Sequence, residues 1–487
     1  MEIRLDKIPR IRRIFATIED RLIRSQLESV IHAVENETTG IIFVKPPLEI
    51  FSCSKPATQA LQLFLDGAAR SRACNTSGVA PADFDALLHF LLTRSESPVK
   101  PEEETTTERV LERLVMNVTQ TCNLRCRYCY AGGGNYNLPN SVMSKETALK
   151  TLDRFYEIYD DIKQLQFFGG EPLLNPELID LVCDEIKRRH TKGIISSVPN
   201  FGVVTNGTIA SDECLHILEK HGINCTVSLD GPRSINDYLR GKHTYDRVVH
   251  FLDTLDKRGM QYGFEATFTA YHLEKGMDLA ALLDFFVTTF DKHEMHIPQV
   301  GLPPGHPLAL TEQQALETYR AGVEYSIRNL RDGTSPWLSF ATRIMNVFLE
   351  RRPTKFTCPA GLGTISIDTE GNAYPCFMFT GVDRFRFGNV YDDVFPDPKR
   401  ADRIFTEIIE NDKSQNPRCG KCWASPFCFG CIGMEYMNGG GNLEKTDCDL
   451  MKAMVEGFLC AGIEFLDEIR KPGDRLHNVE ERALPDF

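Results

Sequence analysis

Residues 114–130 read LVMNVTQTCNLRCRYCY, an apolar run followed by three cysteines, Cys122, Cys126 and Cys129, within eight residues. The run Leu114–Thr119 has the length and composition of a buried strand, which puts the three thiols in the loop at its carboxyl end. Three is the informative number. Structural zinc takes four ligands, whereas an iron–sulfur cube held by three cysteines keeps one iron open to an exogenous ligand.

Further apolar runs follow at Gln164–Phe168, Phe201–Thr205, Asn224–Leu229 and Tyr262–Thr269, with a weaker one at Glu294–Pro298. Amphipathic stretches separate them. Asn175-Pro176 offers an N-cap and a first-turn proline to a helix over Glu177–Arg189, and Ser211 and Gly222 bracket another. The runs show no clean two-residue alternation, and strand-then-helix repetition of that kind predicts a parallel sheet covered on its outer face. The expected fold is therefore α/β, a partial (β/α)6 TIM-type barrel, with its chemistry at the carboxyl ends of the strands.

At ~150 residues per domain, the 487 residues accommodate about three domains. Hydrophobic residues at 42% and charged residues at 25% fall in the globular range and exclude a disordered chain. Acids exceed bases by 13, a field that repels phosphate backbones, so no nucleic acid partner is expected. The start has no apolar signal core and no run approaches the ~18 residues of a membrane span. A cytoplasmic location with reduced thiols is expected, in which 16 cysteines point to metal rather than disulfides. Cys53, Cys74, Cys183, Cys214, Cys225 and Cys460 stand alone and read as small buried hydrophobes.

Residues 1–95 read as a small winged-helix-like α+β domain. Gly40–Val44 and Leu48–Cys53 form a hairpin through Pro46-Pro47, followed by helices near Lys55–Leu65 and Asp83–Leu92. Residues 96–110 are polar and acidic and read as a linker. The barrel occupies 111–300, a helical bridge 301–357, a Gly-, Pro- and Cys-rich domain folded around metal 358–460, and a tail 461–487.

The spacing of Cys122, Cys126 and Cys129 after the first strand resembles the radical SAM superfamily. Phe168-Gly169-Gly170-Glu171-Pro172 after the second strand matches the family's GGEP, which implies that Gly169, Gly170 and Glu171 receive the methionyl ammonium of S-adenosylmethionine (AdoMet). Thr205-Asn206 and Ser228-Leu229-Asp230-Gly231 follow the third and fourth strands, and Arg240 stands in a run associated with one branch of the family. By the resemblance Thr205, Asn206, Ser228, Asp230 and Arg240 meet cofactor or substrate, and Tyr128 lies against the adenine.

Cys358, Cys376, Cys419, Cys422, Cys428, Cys431 and Cys448 resemble the SPASM extension of these enzymes, which holds two auxiliary [4Fe–4S] clusters. The resemblance implies Cys419, Cys422, Cys428 and Cys448 on an outer cluster, and Cys358, Cys376 and Cys431 on a nearer one. Only two residues separate Cys428 from Cys431, where the family usually has three. Two cubes take eight thiolates and the motif supplies seven, so Cys460 or another group completes the set, or one iron is open to a substrate thiolate. A zinc site on the paired cysteines is the alternative.

The resemblance implies three [4Fe–4S] clusters, AdoMet and an electron donor such as flavodoxin or ferredoxin. It also implies a 5′-deoxyadenosyl radical that abstracts hydrogen from carbon. The expected activity is maturation of a ribosomally made precursor peptide or protein by a thioether or related side-chain crosslink. Residues 1–95 resemble the leader-recognition element of such maturases, which binds a peptide by strand addition. The alternatives are an anaerobic sulfatase-type maturase forming formylglycine, modification of a small molecule, and a non-catalytic metal-binding scaffold. Asp230, Glu265 and Glu435 are the candidate catalytic acids or bases.

Overall fold

The computed structural model describes residues 9–45, 47–96, 109–408, 412–438 and 448–469. A helix over Pro9–Leu27 leads into an antiparallel meander of β1 (Ile31–Glu35), β2 (Gly40–Val44) and β3 (Glu49–Cys53). Helices Lys55–Leu65, Arg70–Ser77 and Pro81–Ser95 close over it around Ile42, Leu61, Phe64, Phe84 and Leu88. The hairpin is as expected, with Pro46 outside the described residues. The first helix, β1 and the helix Arg70–Ser77 are not evident from the sequence; the last buries only Ala73 and Cys74, too little for an apolar period. Most of the expected linker also lies outside the described residues.

β4 (Val110–Thr119), β5 (Asp161–Gly169), β6 (Asn200–Thr205), β7 (Asn224–Ser228) and β8 (Tyr262–Glu265) run parallel in chain order. The helices between them start where the caps predict. Ser211 accepts from the Cys214 amide, Gly222 ends that helix at φ +63°, and Pro176 opens the helix Pro176–Thr191. The sixth run departs from expectation. β9 (Glu294–Met295) takes its ladder from β10 (Trp337–Leu338) and touches β8 through single bridges, Glu265 to His296 and Phe268 to Gln299. Pro298 has no N–H with which to extend a ladder.

A second departure concerns the segment after Cys358. β11 (Thr364–Ile367) pairs in parallel with the free edge of β4, and β12 (Asn372–Tyr374) and β13 (Gly388–Asn389) continue antiparallel. One eight-stranded sheet thus runs through both regions. The last described helix, Cys448–Ile469, crosses the boundary expected at residue 460 and packs on the helix Glu312–Arg331 and on the N-terminal meander.

Burial along β5, β7 and β8 alternates, contrary to the reading of runs without a period of two, whereas β4 and β6 are buried in longer runs. Leu165, Phe167, Cys225, Val227, Tyr262 and Phe264 point outward and are buried under the helices. Gln164, Gln166, Thr226, Ser228, Gly263 and Glu265 point inward and are only half-buried. A closed barrel packs that inner row as core. Here it lines a wet, polar chamber.

The two rows predict opposite responses to truncation. Phe167→Ala should lower stability by ~3–5 kcal/mol, and Thr226→Ala by no more than ~0.5 kcal/mol, as for a surface site. Anaerobic urea denaturation followed by circular dichroism measures both.

Candidate active site

Cys122, Cys126 and Cys129 occupy the loop at the carboxyl end of β4. Backbone amides serve their sulfurs: Leu124 N donates to Cys122 Sγ at 3.4 Å and Gly133 N to Cys129 Sγ at 3.3 Å. Burial pushes the Cys122 thiol up and the Cys126 thiol up to about 12. Both hold their protons at neutral pH until a metal replaces them.

The loop after β5 packs on the backbone that feeds the first cysteine. Gly170 N donates to the Thr119 carbonyl and Glu171 N to the Thr121 carbonyl, each at 2.9 Å. A Cβ on Gly170 would lie 2.2 Å from Thr121 O, and one on Gly169 2.0 Å from Thr119 O. Only glycine permits this approach.

Glu171 is fully buried. Its Oε1 accepts from the Thr205 hydroxyl at 2.7 Å and from Leu173 N at 3.1 Å, and its Oε2 from Asn206 N at 2.7 Å. Burial raises its carboxyl to about 7, against the pull of these bonds. Thr205 and Asn206, expected at cofactor or substrate, are engaged in holding Glu171. Asn206 Nδ2 further donates to Asn123 Oδ1 at 2.8 Å.

Asp230, fully buried, is the acceptor of a second network. Its Oδ1 accepts from Arg240 Nη2 at 2.9 Å and Thr267 N at 3.0 Å, and its Oδ2 from Arg240 Nε at 2.9 Å and Tyr128 OH at 2.6 Å. Arg240 also lies over the Tyr128 ring, 5.7 Å from its centroid. Both oxygens of Asp230, one of the candidate acids or bases, are thus engaged, and they hold Tyr128 and Arg240 in place. Glu435 is buried within electrostatic reach of Cys358. Glu265 faces the chamber opposite Ser228 in the β7–β8 register.

Three chamber groups are missed by sequence reasoning. Arg113 Nε donates to Gln164 Oε1 at 2.8 Å, His296 Nδ1 meets Ser339 Oγ at 3.0 Å, and the Arg343 guanidinium lies 4.2 Å from the Phe429 ring centroid. Burial lowers the pKa of all three, although His296 and Arg343 remain exposed to water. Side chains surrounded by protein yet wet are those that line an internal chamber. Tyr136, held at φ +57°, is within electrostatic reach of Cys122, Cys129 and Cys376 and so bridges the first thiols to the second set.

The second set divides in two. Cys376 interacts electrostatically with Cys358 and Cys431, whereas Cys419 and Cys422 share Lys45, and Cys422 and Cys448 share Lys452. Cys431 therefore reaches Cys358 and Cys376 despite its short spacing from Cys428. Among the described residues the one trio of His, Cys, Asp or Glu ligand atoms within 4.8 Å of one another is Asp180, Asp184 and His221, not a cysteine trio. Lys220 neutralises that trio at 2.7 and 2.8 Å from the carboxylates. Cys460 is turned elsewhere: its sulfur accepts from Arg320 Nη2 at 3.5 Å and donates to the Glu35 carbonyl at 3.7 Å. The other lone cysteines are buried except Cys53, which is half-buried.

The radical SAM superfamily profile matches residues 116–286, and the SPASM iron–sulfur cluster-binding domain matches residues 358–423. The chain thus carries a radical SAM domain and a SPASM domain, the domains of AdoMet-using enzymes, and together they imply iron–sulfur clusters and AdoMet. It is 24% identical to the radical SAM cyclopropyl synthase TigE of Paramaledivibacter caminithermalis, over 72% of this chain and 74% of that one. It is 22% identical to a serine-type anaerobic sulfatase-maturating enzyme of Bacteroides thetaiotaomicron, over 66% of this chain and 81% of the relative. The structure of native anSMEcpe with bound AdoMet and Cp18Cys peptide superposes with a TM-score of 0.58 at 18% identity, covering 74% of this chain and 98% of that one. Among the described residues, no helix is long and apolar enough to cross a membrane.

Gly170→Ala should displace the Thr121–Cys122 backbone and cost the first site its cube, about four irons per chain. Gly263→Ala, whose Cβ would meet nothing within 4 Å, should leave iron unchanged. Iron and sulfide assays after anaerobic reconstitution measure both.

Proposed function

We propose that this enzyme matures a ribosomally made peptide or protein by installing a thioether or related side-chain crosslink. The observation that carries this reading is the N-terminal domain. Among the described residues β3 is the last strand of the meander, paired with β2. Beside the end of β3 lies a groove of about 470 Å³ lined by Cys53, Val79, Phe84 and Leu87. An apolar groove beside the end of an outer strand suits an extended leader segment, whose alternate side chains fill the groove.

In this reading Cys122, Cys126 and Cys129 hold the AdoMet-binding cube. Cys358, Cys376 and Cys431 hold the nearer auxiliary cube, and Cys419, Cys422, Cys428 and Cys448 the outer one, three [4Fe–4S] clusters in all. AdoMet on the reduced first cube supplies a 5′-deoxyadenosyl radical, with flavodoxin or ferredoxin as electron donor. Glu171 receives the cofactor ammonium, the Gly169-Gly170 backbone allows its approach, and Tyr128 and Arg240 are held by Asp230 along its edge. The chamber receives the reacting side chains, where Glu265 and His296 are placed to take the proton released on bond formation. The turn of Cys460 toward Glu35 leaves seven thiols for two cubes, which supports an iron open to a substrate thiolate.

A sulfatase-type maturase is the second reading, favoured by the similarity to the sulfatase-maturating enzyme; the metal-binding scaffold is opposed by the match to the radical SAM domain. The enzyme with AdoMet and a reductant should convert a cysteine-bearing precursor into a product that has lost two hydrogens and no longer alkylates at one cysteine. An aldehyde that captures hydrazide would favour the second reading. Leu87→Asp should raise KM for the leader-bearing peptide at least tenfold, with cofactor cleavage in its absence unchanged; an unaltered KM would overturn the recognition role.

The carboxyl of Glu171 titrates near 7 when folded, above its unfolded value. The stability linked to its proton is complete below about pH 4.5 and fades as pH rises through about 7. A cation against Glu171 favours the ionised form, so AdoMet affinity should rise between about pH 6 and pH 8. Glu171→Gln should abolish that slope, as calorimetric titration can measure.

A further inference from the structure

The loop carrying Cys419 and Cys422 is held from another domain. Lys45, just past β2, donates from Nζ to the carbonyl oxygens of Gly420 at 3.0 Å and Cys422 at 3.1 Å. Its ammonium is within electrostatic reach of both thiols. The surrounding contact is well built. His32 of β1 stacks on Trp423 with ring centroids 3.6 Å apart and planes 7° from parallel, and its Nε2 meets Glu456 at 3.0 Å. Phe43 of β2 meets the edge of the same indole at 6.3 Å. Lys45 N donates to the Val30 carbonyl at 2.7 Å, which fixes the backbone under the side chain.

Two comparisons separate Lys45 from an ordinary surface lysine. Lys452, which also lies near these thiols, is neutralised by Asp449 at 2.8 Å. Among the described residues no Asp or Glu comes within ion-pair distance of Lys45, so its charge is directed at the cysteine loop. A cation beside an iron–sulfur cluster stabilises the reduced form, which is the more negative one, and net charge and hydrogen bonding are what set these potentials.

We propose that Lys45 is a positioning residue of the outer auxiliary cluster, a charge lent by the N-terminal domain that raises the cluster's reduction potential. The proposal rests on the reading that Cys419 and Cys422 hold an iron–sulfur cluster. The groove proposed for the peptide lies beside the end of β3, and β3 pairs with β2, so the charge stands one strand away from that groove.

The test is a redox titration of the reconstituted full-length enzyme followed by electron paramagnetic resonance, comparing wild type with Lys45→Gln and Lys45→Arg. Iron content is measured first. An outer site without iron in the wild type would refute the cluster reading itself, separately from the role of Lys45. With iron present, Lys45→Gln should shift one auxiliary signal to more negative potential and leave the other two unmoved, while Lys45→Arg stays near wild type. No shift in Lys45→Gln, an equal shift of all three signals, or an equal shift in Lys45→Arg would overturn the proposal. His32→Ala loosens the domain contact without removing the charge and should lower the melting temperature. A potential shift in His32→Ala as large as that in Lys45→Gln would assign the effect to docking and overturn the role of the charge.

Discussion

The double pairing of β4 is the constraint on which the rest of the structure depends. On one edge β4 is bonded to β5 through nearly its whole length, and on the other to β11. The loop at its carboxyl end, with the first three cysteines, is therefore clamped between the Gly169-Gly170 turn and the turn that follows β12. Asn117 reaches the Thr380 hydroxyl at 3.1 Å, and Gln120 and Ser141 both meet Thr369. The Cys376 region is fixed to the same strand as Cys122. The distance between the first thiols and the second set is thus set by backbone ladders rather than by loops, as chemistry spread over two metal sites demands.

A chamber inside a sheet needs something other than apolar packing to hold its shape. The outward row supplies the stability and the inward row leaves space, with Gly263 and Thr226 small and Gln164 tied to Arg113. The two buried carboxylates at the chamber rim are handled differently. Asp230 is paired bidentately with Arg240. Glu171 has only neutral donors, so burial dominates and its carboxyl rises to about 7. A network closed by a guanidinium is structural; one closed by amides and a hydroxyl can still receive a cation.

What was legible in the sequence is local. The cysteine spacing, the Gly169-Gly170-Glu171 turn and the Ser211 and Gly222 caps act over a few residues, and each lies where its chemistry predicts. The alternation along β5 to β8 was masked because Phe168 and Val204 face inward, while Cys225 sits beside Thr226. Arg113, His296 and Arg343 were illegible for a different reason. They come from a strand, a bridge and a distant helix and become a group only when the sheet folds. β11 was hidden likewise, since its partner is the edge of β4 and nothing within Thr364–Ile367 declares that. Asp230 was visible but its role was not, because engagement of both oxygens depends on Arg240, Thr267 and Tyr128 together.

The short spacing between Cys428 and Cys431 shows how a loop can separate neighbouring thiols without added length. The Cys428 carbonyl accepts from Lys413 Nζ at 3.0 Å and from the Thr354 hydroxyl at 3.1 Å, which anchors that residue. Gly430 N then donates to the Thr357 carbonyl at 3.0 Å, and the helix Ile432–Asn438 begins at once. A Cβ on Gly430 would press to 3.1 Å from Thr357 Cγ2, so glycine eases the approach of this backbone to the segment before Cys358. The chain reverses across two residues because both ends of the reversal are pinned by hydrogen bonds to the same segment, Thr354 to Thr357. Cys431 is thereby carried beside Cys358, whose own backbone neighbours include Ile432. Residue count alone underestimates reach when the segment's direction is set by its anchors, and here one stretch of five residues, 354–358, orders thiols on both sides of the reversal.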